Sequence, residues 1–402
     1  MAELPATADI VVIGGGVHGA SLAYHLARKQ AGRVVLVEKK FVASGPTGRS
    51  TALVREFYAL DFFTRTGMAA VQTFSRWAEV IGGGDPGFRP VGLLVLAGAD
   101  DAPHLRRNAL RARELGARVE IVSPDEVRAL VPQMATDDLA VASWEPSSGF
   151  ADPSSAANAL ASRARALGAI LVQYTRVDAI LTAGGTVTGV RTEAGPVSAP
   201  IVVNCGGLWA GRLLAPLGIA VDIRPTRHQM CFFRRPPGFG AHPAIADRPH
   251  MTYMRPETGD LMIHGLSTYH EVVDPDDYDE GADREEILRN AEIIARRFPI
   301  MESGLSMGGY SGLYDVTPDK QPVLGAIGEY AGLFADFGWS GHGFKHSPVI
   351  GDILSDVILG RPVDYDLTPF RWSRFREGDL LPAGHWTAPP HDKLRVGAPP
   401  AR

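Results

Sequence analysis

The chain has 402 residues, of which 40 are basic and 45 are acidic, giving a formal net charge of −5. This length exceeds what one compact core usually holds, so we expect two domains. The nearly balanced charge indicates no nucleic-acid partner. The N-terminus lacks a secretory signal and the apolar runs are too short to cross a bilayer, so we expect a cytoplasmic protein without a membrane span. Cys205 and Cys231 lie in apolar stretches without metal-site spacing, which predicts free thiols and no metal.

The first predicted elements, in chain order, are a strand, a glycine-rich turn, a helix and a second strand. Apolar residues run continuously over 10–13 and 34–37, and they recur at helical spacing over 20–29. This order is that of one parallel βαβ unit.

The glycine-rich turn has the spacing GxGxxG at Gly14, Gly16 and Gly19, and Glu38 ends the second strand about twenty residues on. The first glycine allows a tight turn, the second lets the backbone approach a pyrophosphate, and the third lets helix and strand pack closely. A carboxylate at Glu38 can bind ribose hydroxyls and disfavours the 2′-phosphate of NADP. The pattern therefore predicts a dinucleotide site; the alternative is a generic glycine-rich turn.

The later predicted elements alternate between helix-rich and strand-rich segments. In chain order they are a helix over 61–80 ended by glycines at 82–87, a strand and two helices within 91–143, a helix over 154–167, strands over 170–172, 177–181, 187–192 and 201–204, broken strands within 222–312 with a helix over 283–297, and a strand, glycine turn and helix within 332–359. This succession predicts a chain that visits each of two domains more than once.

Two further stretches favour FAD over NAD in the dinucleotide site. Residues 44–51, SGPTGRST, are a turn of small hydroxyl residues with one arginine, suited to surround a pyrophosphate and the edge of a flavin. A solvated loop is the alternative for this turn. Residues 202–210, VVNCGGLWA, are another strand that runs into a glycine turn and a helix.

Four separated motifs follow one another along the chain: VVIGGGVHGASLAYHLA, SGPTGRSTALVREFY, VVNCGGLWA and FGWSGHGFKHSP. In this combination and order the sequence resembles the D-amino-acid oxidase superfamily of flavoproteins, and within it the sarcosine oxidase and glycine oxidase branch. The resemblance implies an α/β fold in which a Rossmann-type FAD-binding domain is interleaved with a substrate domain built on a mixed β-sheet. We place the FAD-binding domain at 1–85, 144–221 and 313–376, the substrate domain at 86–143 and 222–312, and a C-terminal tail at 377–402.

The expected cofactor-binding residues follow from the glycine turn, residues 44–51 and the resemblance. They are Gly14, Gly16, Val17, His18, Gly19, Glu38, Lys39, Ser44, Gly48, Arg49, Ser50, Thr51, Val177, Cys205, Gly206, Gly207, Trp209, Gly312, Gly338, Gly341, His342, Gly343, Phe344 and Lys345. The resemblance implies that the backbone of Val177 contacts adenine and that the glycine turn before Lys345 faces the pyrimidine edge of the flavin.

Two cations are the main candidates for substrate binding, because flavin amine oxidation depends on positioning the donor more than on acid–base side chains. Arg55 lies in an apolar run, and Lys345 ends the glycine turn. An arginine used bidentately with a second cation suits a substrate carboxylate, and the resemblance implies this role. The alternatives are a structural ion pair for Arg55 and a surface lysine at 345.

Two tyrosines and two histidines complete the set of catalytic candidates. By the resemblance, Tyr314 falls at an active-site tyrosine and Tyr253 in a segment that lines the substrate pocket; both could equally be core aromatics. His228 and His264 are polar candidates whose alternative is a structural role.

The sequence departs from its relatives at three positions. The cysteine that attaches FAD covalently in sarcosine oxidases is matched by Gly312, so we expect non-covalent FAD. The lysine that activates oxygen would fall near Ile263 or His264, and an arginine beside the flavin is matched by Ala52. These departures leave the electron acceptor and the substrate open.

The leading hypothesis is an FAD-dependent oxidase that converts the C–N bond of an N-substituted glycine or another α-amino acid to an imine, with O2 reduced to H2O2. One alternative is a flavin dehydrogenase of the same fold that acts on a 2-hydroxy acid or passes electrons to a quinone or protein. The other is a non-catalytic FAD-binding subunit of a complex. The oligomeric state is left open.

Overall fold

The computed structural model describes residues 3–268 and 271–381. The predicted C-terminal tail therefore lies mostly outside the described residues. The α-helices, numbered in chain order, are α1 (Val17–Arg28), α2 (Asp61–Ser75), α3 (Trp77–Val80), α4 (Ala102–Glu114), α5 (Pro124–Leu130), α6 (Pro153–Ala166), α7 (Ala210–Leu214), α8 (Arg284–Arg297), α9 (Ser347–Ile358) and α10 (Arg374–Glu377).

The first large sheet has six strands, in the order β18 (Val323–Ala326), β19 (Leu333–Phe337), β12 (Ile201–Asn204), β1 (Ile10–Ile13), β2 (Val34–Val37) and β8 (Ile170–Val172). All neighbours are parallel except β18 and β19. Its central strands are Val- and Ile-rich and buried on both faces, as parallel sheets require.

Both faces of the six-stranded sheet are covered by other elements. Helices α1, α6 and α9 pack together over one face and share a core with Val12 and Leu36. A three-stranded antiparallel sheet covers the other face with Ile180 and Val190, packing on Val11. Its strands are β11 (Gly195–Ser198), β10 (Thr186–Thr192) and β9 (Val177–Ala183).

The second large sheet has eight strands, in the order β17 (Leu305–Val316), β13 (Arg224–Arg234), β16 (Leu261–Leu266), β15 (Thr252–Pro256), β14 (Ala244–Asp247), β4 (Leu93–Ala97), β6 (Val141–Glu145) and β5 (Glu120–Val122). Only β14 and β4 pair in parallel, so the sheet is mixed. A two-stranded ribbon of β3 (Leu53–Val54) and β7 (Gly149–Phe150) lies apart from it. The predicted class, a Rossmann-type sheet combined with a mixed sheet, is confirmed.

Because side chains alternate along a strand, the eight-stranded sheet has two distinct faces. One face carries Met254, Met262 and Cys231, which form a core that includes Ile294 of α8. The other face carries Tyr253, whose register partners are Ala246 and Gly265, and this face is turned towards the six-stranded sheet.

Two differences from the sequence predictions change the description of the fold, whereas the other element ends shift by a few residues. The helix predicted over 61–80 is broken at Arg76, which has φ −119° and separates α2 from α3. The domain boundaries placed at 143/144 and 312/313 fall inside β6 and β17, because each of these strands runs continuously in the eight-stranded sheet. The assignment of the remaining chain to two domains stays a prediction.

A membrane-crossing helix is not found within residues 3–268 and 271–381, where every helix is too short or too polar to span a bilayer. The same described residues contain no cluster of His, Cys, Asp and Glu side chains suited to a metal ion.

Candidate active site

A cavity of about 820 Å³ lies between the carboxyl ends of the parallel strands and one face of the eight-stranded sheet. It is lined by residues that directly follow β1, β2 and β12, namely Gly14, Glu38 and Cys205. The crevice outside the carboxyl ends of parallel strands is where open α/β sheets bind their ligands. The position and volume of the cavity are therefore those of a large-ligand site.

The turn after β1 leaves no room for a side chain at Gly14 or Gly19. A Cβ on Gly14, which has φ +101°, would lie 2.5 Å from the carbonyl oxygen of Cys205, and a Cβ on Gly19 would overlap the carbonyl oxygen of Gly14. The start of α1 at Gly16 and Val17 consequently lines the cavity with backbone. A helix N-terminus reached this closely can bind a pyrophosphate.

The Glu38 carboxylate is held in a fixed orientation at the end of β2. Its Oε2 accepts a hydrogen bond from the Gly15 amide at 2.6 Å, and its Oε1 accepts one from the Lys40 amide at 2.8 Å. The carboxylate lines the cavity beside Ser44, as ribose recognition requires.

The glycine turn that follows β19 is tied to the start of α1. His18 Nδ1 lies 3.0 Å from Asp336 Oδ2, and the His18 ring stacks on Trp339 at 4.5 Å between centroids. Trp339 Nε1 donates to Asp336 Oδ1 at 2.7 Å. A Cβ at Gly343 would lie 2.6 Å from the Trp339 ring, so the turn needs glycine to pack here.

Tyr253, Tyr314 and His228 meet on the cavity side of the eight-stranded sheet. The two tyrosine hydroxyls are 2.9 Å apart, and the His228 ring stacks on Tyr314 at 3.7 Å. Tyr253 Oη also donates to the sulfur of Met230 at 3.1 Å. Burial raises the pKa of Tyr314 more than its hydrogen bond with Tyr253 lowers it. This wall therefore presents neutral hydroxyl groups to the cavity.

His264 lies on the opposite face of the same sheet, away from the cavity. It pairs in register with Met254 and Cys231, and its Nδ1 lies 2.5 Å from Asn290 Oδ1 of α8. Burial lowers its pKa to about 4. Because side chains alternate along a strand, His264 faces the core that contains Met254 and Cys231 and not the cavity. This position fits a structural role and not the predicted catalytic one.

Arg55 and Lys345 are buried in one region behind the cavity wall, and neither lines the cavity. Arg55 Nη1 donates to Phe57 O at 2.6 Å, and its guanidinium lies 3.6 Å from the centroid of the Tyr58 ring. Lys345 Nζ donates to His342 O at 3.2 Å. Burial lowers the pKa of Lys345 well below its ordinary value, and the charge of Arg55 lowers it further. Arg55 and Lys345 are therefore close to each other. Lys345 directly follows Phe344, which lines the cavity.

A family model for FAD-dependent oxidoreductases matches residues 9–357. The chain belongs to this family. Peroxisomal sarcosine oxidase of Homo sapiens is 30% identical to it over 385 residues, covering 91% of this chain and 96% of that protein. Mitochondrial sarcosine dehydrogenase of Mus musculus is 27% identical over 98% of this chain and 46% of its own length, so the chain spans about half the length of that relative.

Solved structures of two relatives are similar to this oxidoreductase over almost the whole chain. L-proline dehydrogenase from P. horikoshii has a TM-score of 0.87 and 27% identity, covering 94% of this chain and 100% of that one. Glycine oxidase from Geobacillus kaustophilus has a TM-score of 0.81 and 26% identity, covering 92% and 99%. The cofactor of the family is FAD.

The cavity of this FAD-dependent oxidoreductase fits its cofactor, because most residues expected to bind FAD line it. These are Gly14, Gly16, Val17, His18, Glu38, Lys39, Ser44, Arg49, Ser50, Thr51, Val177, Cys205, Gly206, Gly207, Trp209, Gly312, Gly341, Gly343 and Phe344. Those that do not line it are Gly19, Gly48, Gly338, His342 and Lys345. A Cβ at Gly312 would lie 3.2 Å from the Cβ of Arg49, so a larger side chain there would crowd the wall.

Glu145 is a buried carboxylate beside the two cations that the sequence did not single out. Its Oε2 accepts hydrogen bonds from the backbone amides of Glu56 at 2.7 Å and Phe57 at 3.1 Å. Its Oε1 is buried without a hydrogen-bond partner among the described residues. Burial raises the pKa of Glu145, and the charge of Arg55 opposes that rise. Glu145 thus fixes the segment that carries Arg55 and adds a negative charge near both cations.

Proposed function

We propose that this oxidoreductase oxidises the C–N bond of an α-amino acid or an N-substituted glycine. The observation that supports it is the pair of buried cations, Arg55 and Lys345, beside a cavity whose other wall is the Tyr253–Tyr314 hydroxyl pair. The Glu145 carboxylate can offset only one of these two positive charges, and burying the other is costly unless a second anion joins it. A substrate carboxylate is an anion of the right charge and geometry.

The chain's own residues supply binding and orientation in this proposal. Arg55 and Lys345 bind the carboxylate once Phe344, the cavity-lining neighbour of Lys345, gives access to them. The hydroxyls of Tyr253 and Tyr314 orient the amine end, and the sheet face behind them excludes water. Bound FAD would supply the two-electron acceptor for the hydride from the carbon beside the amine and would return the electrons to O2, giving H2O2. The imine product is then hydrolysed by water.

A second candidate is a dehydrogenase that passes its electrons to a quinone or a protein or that acts on a 2-hydroxy acid. The names of two similar proteins, sarcosine dehydrogenase and L-proline dehydrogenase, favour this reading of the acceptor. So does the lack of a lysine at Ile263 and at His264, near which the oxygen-activating lysine of sarcosine oxidases would fall. A non-catalytic FAD-binding subunit is disfavoured because it would have no need of the buried cation pair.

Anaerobic titration of the visible flavin band tests the proposal. Sarcosine, glycine, L-proline and a panel of free amino acids are added in turn, with the matched 2-hydroxy acids as controls. We expect at least one amine to bleach the band and its hydroxy acid to leave it unchanged. Bleaching only by hydroxy acids, or by no compound, would contradict the proposal.

The rate of reoxidation after admitting air separates the two acceptors. A fast return of the flavin band with stoichiometric H2O2 is the expected result. A slow return that is accelerated by a soluble quinone would instead assign the dehydrogenase.

A further inference from the structure

Residues 271–283 leave the eight-stranded sheet, reach the six-stranded sheet and return. At the start, the Val273 amide donates to Pro225 O at 3.0 Å and the Arg227 amide donates to Glu271 O at 2.9 Å, both on β13. At the end, Arg227 Nη1 binds Asp283 Oδ2 at 2.8 Å. Both ends of the segment are thus fixed to one strand.

The middle of the segment is held by residues of the other sheet through a single carboxylate. Asp276 Oδ1 accepts from Lys39 Nζ at 2.8 Å and from Trp209 Nε1 at 3.0 Å, and its Oδ2 accepts from Arg212 Nη1 at 2.6 Å. Lys39 follows β2, whereas Trp209 and Arg212 follow β12. The Lys39 ammonium also lies 3.4 Å from the centroid of the Trp209 ring.

The same segment forms part of the cavity wall. Pro275, Asp276 and Tyr278 line the cavity that Glu38 and Val177 also line. Further along, the Glu280 carboxylate lies 2.6 Å from Arg49 Nη2, another lining residue. The segment therefore crosses the cavity expected to hold FAD, with contacts at more than one point along it.

We propose that residues 274–280 form a strap over bound FAD and that the Asp276 contacts must open before FAD leaves. The residues that Asp276 binds, Lys39 and Trp209, are themselves among those expected to bind the cofactor. Because Asp276 holds these residues from the side of the eight-stranded sheet, FAD is retained as long as this contact between the two sheets is intact. The strap goes beyond the proposed amine chemistry and does not depend on which substrate is oxidised.

The Asp276 contacts are stronger than an isolated surface ion pair. A single exposed pair contributes little to stability, but here three donors on two separate segments converge on one carboxylate. Burial would raise the pKa of Asp276, yet the bonds from Lys39, Trp209 and Arg212 outweigh it and lower that pKa to about 2. The carboxylate is therefore charged throughout the working pH range.

The test is the rate at which FAD leaves the purified holoenzyme without substrate. The holoenzyme is diluted into buffer, and the rise in fluorescence as free FAD appears is followed over time. We expect Asp276→Ala to release FAD about tenfold faster than the wild type, the effect of losing roughly one strong charge-assisted interaction. Added salt should accelerate release from the wild type more than from Asp276→Ala.

Asp100→Ala is the charge-matched control, because the exposed Asp100 carboxylate lies outside the strap and does not line the cavity. Release from this variant should stay at the wild-type rate. Equal acceleration in both variants, or an unchanged rate in Asp276→Ala, would overturn the strap.

If Asp276→Ala does not fold, Arg212→Gln provides a second test, because it removes one of the bonds to Asp276 from the side of the six-stranded sheet. It should accelerate release less than Asp276→Ala, since the bonds from Lys39 and Trp209 remain. In the double variant the two effects should be less than additive, because both changes break the same contact. Full additivity would count against the strap, and none of these outcomes depends on the amine substrate proposed above.

Discussion

Lys345 is a buried cation whose protonation should control substrate binding if the proposed function is right. Burial, followed by the charge of Arg55, lowers its pKa. The ammonium form is therefore present below this lowered pKa and is lost as the pH rises through it. The KM for a carboxylate substrate should consequently rise with increasing pH well before an ordinary lysine would titrate.

Lys345→Met should raise that KM about tenfold to a hundredfold at a pH below the lowered pKa of Lys345, the range expected for losing a hydrogen bond to a charged group. FAD content should not change, since Lys345 does not line the cavity. Steady-state kinetics across pH give the measurement, and the pH dependence of KM should flatten in the variant. A variant with the wild-type KM profile would exclude Lys345 from carboxylate binding.

At the residue scale, functional residues that belong to recognisable patterns are easier to predict than residues whose contacts are distant in the chain. The resemblance indicates Tyr253 and Tyr314, and His228 is a polar candidate beside them in the sequence analysis; all three meet on one wall. Glu145 gave no local signal, because the amides that it binds lie 88 and 89 residues away in the chain. Asp276 also gave no local signal, because it lies among other acidic residues and the residues that it binds are distant in the chain.

At the element scale, the junction between β1 and α1 should tolerate no added side chain. A Cβ at Gly19 would overlap the carbonyl oxygen of Gly14, so Gly19→Ala must push α1 away from the strand. We expect this variant to lose most of its FAD, measured as the ratio of flavin to protein absorbance. Gly328→Ala is the control, since a Cβ there has no heavy atom within 4 Å. Normal FAD content in Gly19→Ala would refute the packing argument.

Strands with continuous apolar runs were predictable as elements, whereas their neighbours in a sheet were not. The strands expected over 170–172 and 201–204 occur with those bounds as β8 and β12. The face of β16 that His264 occupies could not be read from its sequence, because alternation defines two faces without saying which one meets the cavity. The break at Arg76 was also missed, since apolar spacing continues through it.

At the scale of the whole molecule, buried neutral histidines should make stability fall in mild acid. Burial lowers the pKa of both His242 and His264 to about 4. Each would bind a proton near pH 6.5 in the unfolded chain, so stability is lost as the pH falls from about 6.5 towards 4. Each contributes a slope of up to about 1.4 kcal/mol per pH unit.

Chemical denaturation at pH 7 and pH 5 measures this loss. The free energy of unfolding should be lower at pH 5, and His264→Gln should reduce the difference between the two values even if it lowers both. Buried carboxyls whose pKa is raised, such as Glu145 and Asp315, act in the opposite direction, so the comparison with His264→Gln decides. The same pH dependence in His264→Gln and in the wild type would show that His264 is not buried in its neutral form.

At the largest scale the fold class was predictable because the FAD-binding motifs are local, but the order of the strands along the chain has a consequence for how the sheet is completed during synthesis. In the six-stranded sheet, β1 lies between β2 and β12, and β12 lies beside β19, so neighbours come from both ends of the chain. On the ribosome four of the six strands, β1, β2, β8 and β12, are complete by residue 204, whereas β18 and β19 begin only at residues 323 and 333. The glycine turn after β19, which forms part of the cavity wall, is therefore made after most of the sheet, and the edge of β12 that pairs with β19 stays uncovered until then.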